Sequence, residues 1–421
     1  MVQLFVRGNG QIRREKPSMN KRGLAVIIGG FCTVFTGFAI RSSYGVLLPK
    51  MLPSLEISKT EAGVIYSLFF MAYTVFSPLF GLLADRSNIR GILTMFLVIL
   101  GIGTLLMGYS SSLMEASFFF MLAGIGASAT WSPVVPLVQR WTTDRRRGMA
   151  LAFVDVGASV GVAVSSILVP LVVLAYDWRM GWKGLGTLAL FMAGINFFLI
   201  RDSPKENPNV HDSKFGRQLN KSASTMYIGV LRDRNFLFIG LSYLSIGFSA
   251  LIPVTFVSTY AVQEVKLSYD VATRLITIIA ASSLVGKLVL GTLSDAIGRI
   301  KAILISEILM GIGCSLLVYL PNVFAIHLSM AIFGLGHGAV WPLYALCAPD
   351  YFSKNSAGFI VGFWTLLLGI GFILSPIIAG WIADVTGIFM WSFVLAIATT
   401  TLSMFLLLLV GKKVSPADSL N

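Results

Sequence analysis

Gly81-Leu-Leu-Ala-Asp85-Arg86-Ser-Asn-Ile-Arg90 and Gly291-Thr-Leu-Ser-Asp295-Ala-Ile-Gly298-Arg299-Ile-Lys301 each close a long apolar run, and they begin 210 residues apart. The same offset continues outward. Gly37-Phe38 matches Gly247-Phe248, Gly101-Ile-Gly103 matches Gly311-Ile-Gly313, and Gly124, Gly126 and Trp131 match Gly334, Gly336 and Trp341. Gly148 and Gly161 likewise find Gly358 and Gly371. Glycine is common in membrane helices and accounts for one or two such pairs by chance. It does not account for an ungapped register that also carries Asp and Trp. The chain is therefore an internal duplication.

Each half consists of apolar runs long enough to cross a bilayer core, which takes about 20 helical residues. Twelve spans are expected, at 24–48, 61–84, 91–110, 115–139, 148–175, 182–200, 235–260, 271–293, 300–320, 323–348, 356–382 and 388–410. Apolar residues make up 56% of the chain and charged residues 12%, against about 25% charged in soluble domains. The fold class is thus an all-α membrane protein of two six-helix bundles, 24–200 and 235–410. A tail 1–23, a polar connection 201–234 and a tail 411–421 lie outside them. Met19 is a second candidate start, and the first run has no cleavage pattern of a signal peptide. The net charge of +13 is spread over short loops, which argues against nucleic acid as a partner. Lys and Arg gather in the tails and in the loops after even-numbered spans. The positive-inside rule then places both termini in the cytoplasm. Cys32, Cys314 and Cys347 have no metal-ligand spacing and read as packing residues.

The two closing segments resemble the signature loop of the major facilitator superfamily, G-x-x-x-D-x-x-G-x-[RK], with Asn88 in place of the second glycine of the first copy. Small residues there let a neighbouring helix approach, and an Asp can pair with basic residues or cap a helix N-terminus. Gly81, Asp85, Arg86 and Arg90, with Gly291, Asp295, Gly298 and Arg299, are expected to form a conformational gate. Longer stretches resemble the bacterial monocarboxylate-transporter-like and oxalate:formate-antiporter-like branch. They are Arg41-Ser-Ser-Tyr44-Gly45-Val-Leu-Leu-Pro49, Gly124-Ile-Gly-Ala-Ser-Ala-Thr-Trp131, Arg145-Arg-Arg-Gly148, Gly286-Lys287-Leu-Val-Leu-Gly291 and Gly334-Leu-Gly-His337-Gly-Ala-Val-Trp341-Pro-Leu-Tyr344. That branch commonly has a carboxylate-binding arginine at the position of Lys287. The resemblance implies a site between two halves that rock about it.

Charges inside spans cost about 2.5 kcal/mol or more each at the bilayer centre and normally face a cavity or a partner. Arg41 in the first span and Lys287 in the eighth are expected to bind substrate, with a structural ion pair as the other reading of each. Two cations on one cavity favour an anion, held bidentately by Arg and as a point charge by Lys. Asp155 in the fifth span lies at a depth similar to that of Lys287. If the halves pack as the resemblance implies, the two can pair, making Asp155 a proton-coupling or gate residue or else half of a static pair. His337 reads as a substrate or proton contact, or as a simply hydrogen-bonded histidine. Tyr44, Trp131, Tyr344 and Trp364 are candidate cavity walls, although aromatic residues at such spacings also serve packing. Glu307 reads as an interface residue.

No GxxxxGK[ST] loop is present, so an ATP-driven pump is excluded as far as sequence goes. No nucleophile–base or metal constellation supports an enzyme, and no cofactor is expected. The expected function is secondary transport of small mono- or dicarboxylates by proton symport or anion exchange. A drug–proton antiporter of the same fold and a non-transporting sensor are the alternatives. Expected partners are the anion, protons and the lipid bilayer, for a monomer in the cell membrane.

Overall fold

The computed structural model describes residues 21–86, 88–142, 144–201, 229–320, 322–352 and 356–411, with the side chains of residues 21, 81–86 and 144–145 excluded. The candidate gate side chains of Asp85 and Arg86, and Gly81 beside them, therefore fall outside the described residues.

Thirteen helices are described: α1 Lys21–Leu55, α2 Lys59–Arg86, α3 Ile89–Met107, α4 Leu113–Ala127, α5 Val134–Trp141, α6 Asp144–Ala175, α7 Trp178–Leu199, α8 Arg234–Gln263, α9 Tyr269–Ile297, α10 Arg299–Tyr319, α11 Val323–Tyr351, α12 Ala357–Thr386 and α13 Met390–Leu408. Eleven of these are long and apolar enough to cross a membrane, and α4 with α5 takes the place of the remaining span. Several exceed the expected bounds. The helix α1, for example, runs from Lys21 to Leu55 and contains Pro49 and Pro53. Intrahelical bonding continues past the apolar core, whose thickness sets only the minimum length.

The fourth span is corrected by the structure: the expected helix 115–139 is broken into α4 and α5. The hydroxyls of Ser128 and Thr130 donate to the carbonyls of Ile125 and Ala127 at 2.6 and 2.7 Å. Pro133 and Pro136 follow and cannot supply the amide donors of a continuous helix. The other ends are set locally. Asn88, Ser112, Asp177, Asp233 and Asn322 cap α3, α4, α7, α8 and α11 through side-chain oxygens. Gly298, at φ 92°, makes the sharp joint between α9 and α10.

The sequence repeat is also a repeat of contacts. A Cβ at Gly124 would lie 2.3 Å from the carbonyl oxygen of Phe69, and one at Gly334 would lie 2.7 Å from that of Ile279. Gly103 abuts Ala123 as Gly313 abuts Phe333. In both pairs glycine and partner are shifted by the same 210 residues, so each half uses the same small residues for the same close helix crossing.

One face of the bundle carries the start of α1 and the end of α13 and is called the terminal face; the other is the distal face. The halves meet along α2 with α12, α6 with α9, and α1 with α8. The repeat maps α2 onto α9 and α6 onto α12, so the first two seams are equivalent. On the distal side these seams are tight. The backbone of Gly63 meets that of Pro376, Ser67 donates to the Ile373 carbonyl at 2.6 Å, and Tyr269 donates to the Val46 carbonyl at 3.0 Å. Ser166 and Thr277 share a hydrogen bond of 2.8 Å.

Candidate functional site

Midway along α1, Arg41 turns toward the other half. Its guanidinium carbon lies 4.8 Å from the ring centre of Phe70 on α2, 5.1 Å from that of Phe372 on α12, and 5.5 Å from that of Phe38 one turn earlier. Tyr66 donates to the Arg41 backbone carbonyl at 3.0 Å, which holds this turn of α1 against α2. Among the described residues no acidic side chain lies within ion-pair distance of Arg41. Rings stabilise a cation by roughly 0.5–2 kcal/mol, while a carboxylate would bind it more strongly and bidentately. The site thus holds a half-buried guanidinium walled by rings, whose best partner is an anion.

Across the α6–α9 seam, Lys287 Nζ lies 2.5 Å from Asp155 Oδ2, with the two side chains 22% and 33% exposed. Both stand about three turns from the terminal face. Gly286 makes this position reachable: a Cβ there would overlap the Leu335 carbonyl of α11, so α9 presses directly on α11 and presents the next residue to α6.

His337, at the midpoint of α11, bonds through Nδ1 to Ser283 Oγ on α9 at 3.3 Å. Its ring lies between Phe333 at 5.6 Å and Trp341 at 5.3 Å. Trp341 in turn packs edge-on to Phe372 at 5.8 Å, the ring that flanks Arg41. Both Arg41 and Lys287 are within electrostatic reach of His337, and Arg41 is within reach of Tyr73 as well. The structure therefore gathers Arg41 and the Lys287–Asp155 pair around His337, between the halves.

Four other expected wall residues are placed differently. Tyr44 is fully buried between α1, α2 and α4, with its hydroxyl donated to the Ala62 carbonyl at 2.6 Å and its ring stacked on Tyr66 and Phe120. Tyr344 points away from Arg41 into the C-terminal half and bonds Glu307 at 2.8 Å. Trp364 is 1% exposed and donates to the Phe236 carbonyl at 3.0 Å, near the start of α8. Each has its polar atom satisfied within the core, which favours packing there. Trp131 stays half-buried in the break between α4 and α5. In the second gate segment, Arg299 pairs with Asp295 at 2.6 Å and reaches Asp350 at 3.7 Å, so this Asp is held within its own half. Gly291 has open space where a Cβ would be. Arg90 lies 3.8 Å over the ring of Phe197 on α7.

Phe38, Phe70, Tyr73, Phe372 and Ser283 escaped the sequence reading. Phe38 was accessible to it, lying three residues before Arg41 on one helix face; the others come from helices distant in sequence.

The Major Facilitator Superfamily model matches residues 29–283 and 241–420. The chain is 23% identical over 402 residues to a hexuronate transporter of Bacillus subtilis, covering 90% of this chain and 92% of that one. It is 25% identical over 405 residues to the membrane sensor protein UhpC of Escherichia coli, covering 89% and 90%. Its fold superposes with a TM-score of 0.79 on a bacterial homologue of the human lysosomal transporter Spinster, crystallised inward-facing and unoccupied, at 14% identity and over 94% of this chain and 99% of that one. With two equivalent six-helix halves, a polar cluster between them and a family match over nearly its whole length, the chain belongs to the Major Facilitator Superfamily and is a multi-pass membrane protein rather than an enzyme.

Proposed function

We propose that this chain is a secondary carrier of small organic anions, mono- or dicarboxylates, of the monocarboxylate-transporter-like branch. It acts as a monomer in the cell membrane with both termini in the cytoplasm. The observation that carries the reading is Arg41: a guanidinium at mid-depth, walled by three phenylalanines and unopposed by any described acid. A carboxylate entering between the halves gains a bidentate partner there, and the rings exclude the water that would otherwise compete.

The Asp155–Lys287 pair supplies a coupling device. An anion that recruits Lys287 leaves Asp155 without its cation, and a proton on that carboxylate restores the lost neutrality. Substrate and proton then enter together, or, in exchange, a second anion leaves on Lys287 and no net proton moves. Distal-face seams closed between the halves suit a state in which the site is reached from the terminal face. The named substrate of the Bacillus relative is itself a sugar carboxylate, which supports an anionic substrate class.

A second reading follows from the Escherichia relative, which is named as a sensor: the chain would bind the anion without moving it. Uptake of labelled lactate, pyruvate, formate and oxalate into proteoliposomes, with and without an inward proton gradient, separates the two. Gradient-stimulated uptake that is lost in Arg41→Ala or Lys287→Ala is the expected result. Binding without uptake leaves the sensor, and neither binding nor uptake of any acid sinks the anion reading.

A further inference from the structure

Behind the site, in the C-terminal half, α10 holds one carboxyl group in the middle of the protein. Glu307 is 0% exposed. Its Oε1 accepts from Tyr344 of α11 and from Ser403 of α13, both at 2.8 Å. Ser242 of α8 completes the group, close to the Tyr344 hydroxyl and 2.8 Å from that of Ser403, and its single proton serves one of them at a time. Oε2 has no hydrogen-bond partner.

Among the described residues no cation lies within ion-pair distance of Glu307, and the charged groups of the surrounding helices are placed elsewhere. On α9, Lys287 pairs with Asp155, Arg274 with Asp270, and Asp295 with Arg299. On α11, His337 bonds Ser283, His327 bonds the Val323 carbonyl at 2.6 Å, and Asp350 faces Arg299. On α10 itself, Arg299 serves those two acids and Lys301 is exposed in the first turn. On α8, Arg234 lies over the Phe238 ring at 5.0 Å at the start of the helix, Tyr243 faces the cluster by stacking on Tyr344 at 4.4 Å, and α13 carries no ionisable side chain. A carboxylate sealed at this depth without a cation, and with one oxygen unbonded, is far more costly than a neutral acid.

Resting on the transport reading above, we infer that Glu307 is a proton-binding site of the carrier: its Oε2 takes up a proton, the carboxyl loses its charge, and the C-terminal half seals around it. Release requires water to reach Oε2, and hence a rearrangement of α10 against α11 and α13. The group is tied to the substrate region by packed rings. Tyr344 stacks on Tyr243, which touches Trp341 at 6.2 Å, and Trp341 abuts both His337 and the Phe372 ring beside Arg41. A shift of α11 on anion binding therefore reaches the oxygen pair that holds Glu307.

The test uses the full chain reconstituted in liposomes, with Glu307→Gln and Glu307→Asp. Glutamine keeps the volume and the acceptor for Tyr344 and Ser403 but binds no proton. Difference infrared spectroscopy across pH should show a protonated-carboxyl band that titrates in wild type and is absent from Glu307→Gln. Proton-gradient-driven uptake should fall at least about tenfold in Glu307→Gln, while exchange of labelled for unlabelled anion, which needs no net proton movement, stays within about twofold. Glu307→Asp should retain the titrating band. No Glu307-dependent band, a band unchanged at every pH, or full gradient-driven uptake by Glu307→Gln overturns the inference. Failure of wild type to bind any organic anion strikes the substrate reading alone, because the infrared titration decides Glu307 without a substrate.

Discussion

Asp384, near the last turn of α12, caps the first turn of α2 in the other half: its carboxylate accepts from the Thr60 amide at 2.7 Å and from the Thr60 hydroxyl at 2.6 Å. Its second oxygen accepts from the Lys59 amide at 3.1 Å, and Lys59 Nζ returns a bond to the Ala383 carbonyl at 3.1 Å. The neighbouring Ser58 and Glu61 form a reciprocal capping box within α2. The remaining amides of that helix end thus have protein acceptors only while the halves are together on the distal face, so the contact works as a latch.

Removing the latch is expected to favour the state open on the distal face. An N-cap oxygen contributes about 0.5–2 kcal/mol, so Asp384→Ala should change the ratio of the two access states by about 2- to 30-fold at most. Electron–electron resonance distances between spin labels on the distal ends of α2 and α12 measure it. An unchanged distance distribution would show that Asp384 holds nothing.

The Asp155–Lys287 pair is expected to couple energetically as well as functionally. Losing one partner of a fully buried pair costs about 3–5 kcal/mol, and partial exposure lowers this toward the roughly 1 kcal/mol of surface pairs. Lys287→Ala and Asp155→Ala should each lower the melting temperature in detergent, and the double variant should be less destabilised than their sum. Simple additivity would mean that the two charges do not interact.

Two glycines on α9 should behave oppositely. Gly286→Ala drives a methyl into the Leu335 carbonyl, and such overpacking costs roughly 1–3 kcal/mol. Gly291→Ala meets nothing within 4 Å and should be neutral or stabilising by up to about 1 kcal/mol, since alanine is the better helix former. Thermal unfolding compares them. Reduced transport by a stable Gly291→Ala would indicate that this residue is a close contact only in the other access state.

Outside the spans, Glu264 at the end of α8 accepts from the Phe389 amide at 2.6 Å. Burial pushes its carboxyl above the ordinary value, against the opposing pull of that amide, Lys59 and Lys266. An acid raised on folding favours the folded state at low pH. Its contribution is full below the unfolded glutamate pKa and is lost as pH rises through the raised value. Melting temperature plotted against pH should therefore lose part of its decline over that window in Glu264→Gln; an identical profile would remove Glu264 from the pH response.

Much of this architecture is one-dimensional information. A span is legible because lipid demands about twenty apolar residues in a helix, and the duplication is legible because Gly124 and Gly334, or Gly103 and Gly313, must stay small at equivalent crossings. The mid-span charges Arg41, Asp155 and Lys287 also declare themselves, since each is too costly to keep without a partner or a cavity. Tertiary structure decided what those residues meet. The aromatic wall of Arg41 is assembled from α1, α2 and α12, and the Asp384 latch joins residues over 320 positions apart. Tyr44, Tyr344 and Trp364 were assigned to the core by the direction their helices face, a property that apolar composition on all sides of a membrane helix does not encode. Glu307 became informative for the same reason: hydropathy places it within a span, but only the packing of α8, α10, α11 and α13 seals it away from every described cation and leaves one of its oxygens without a partner.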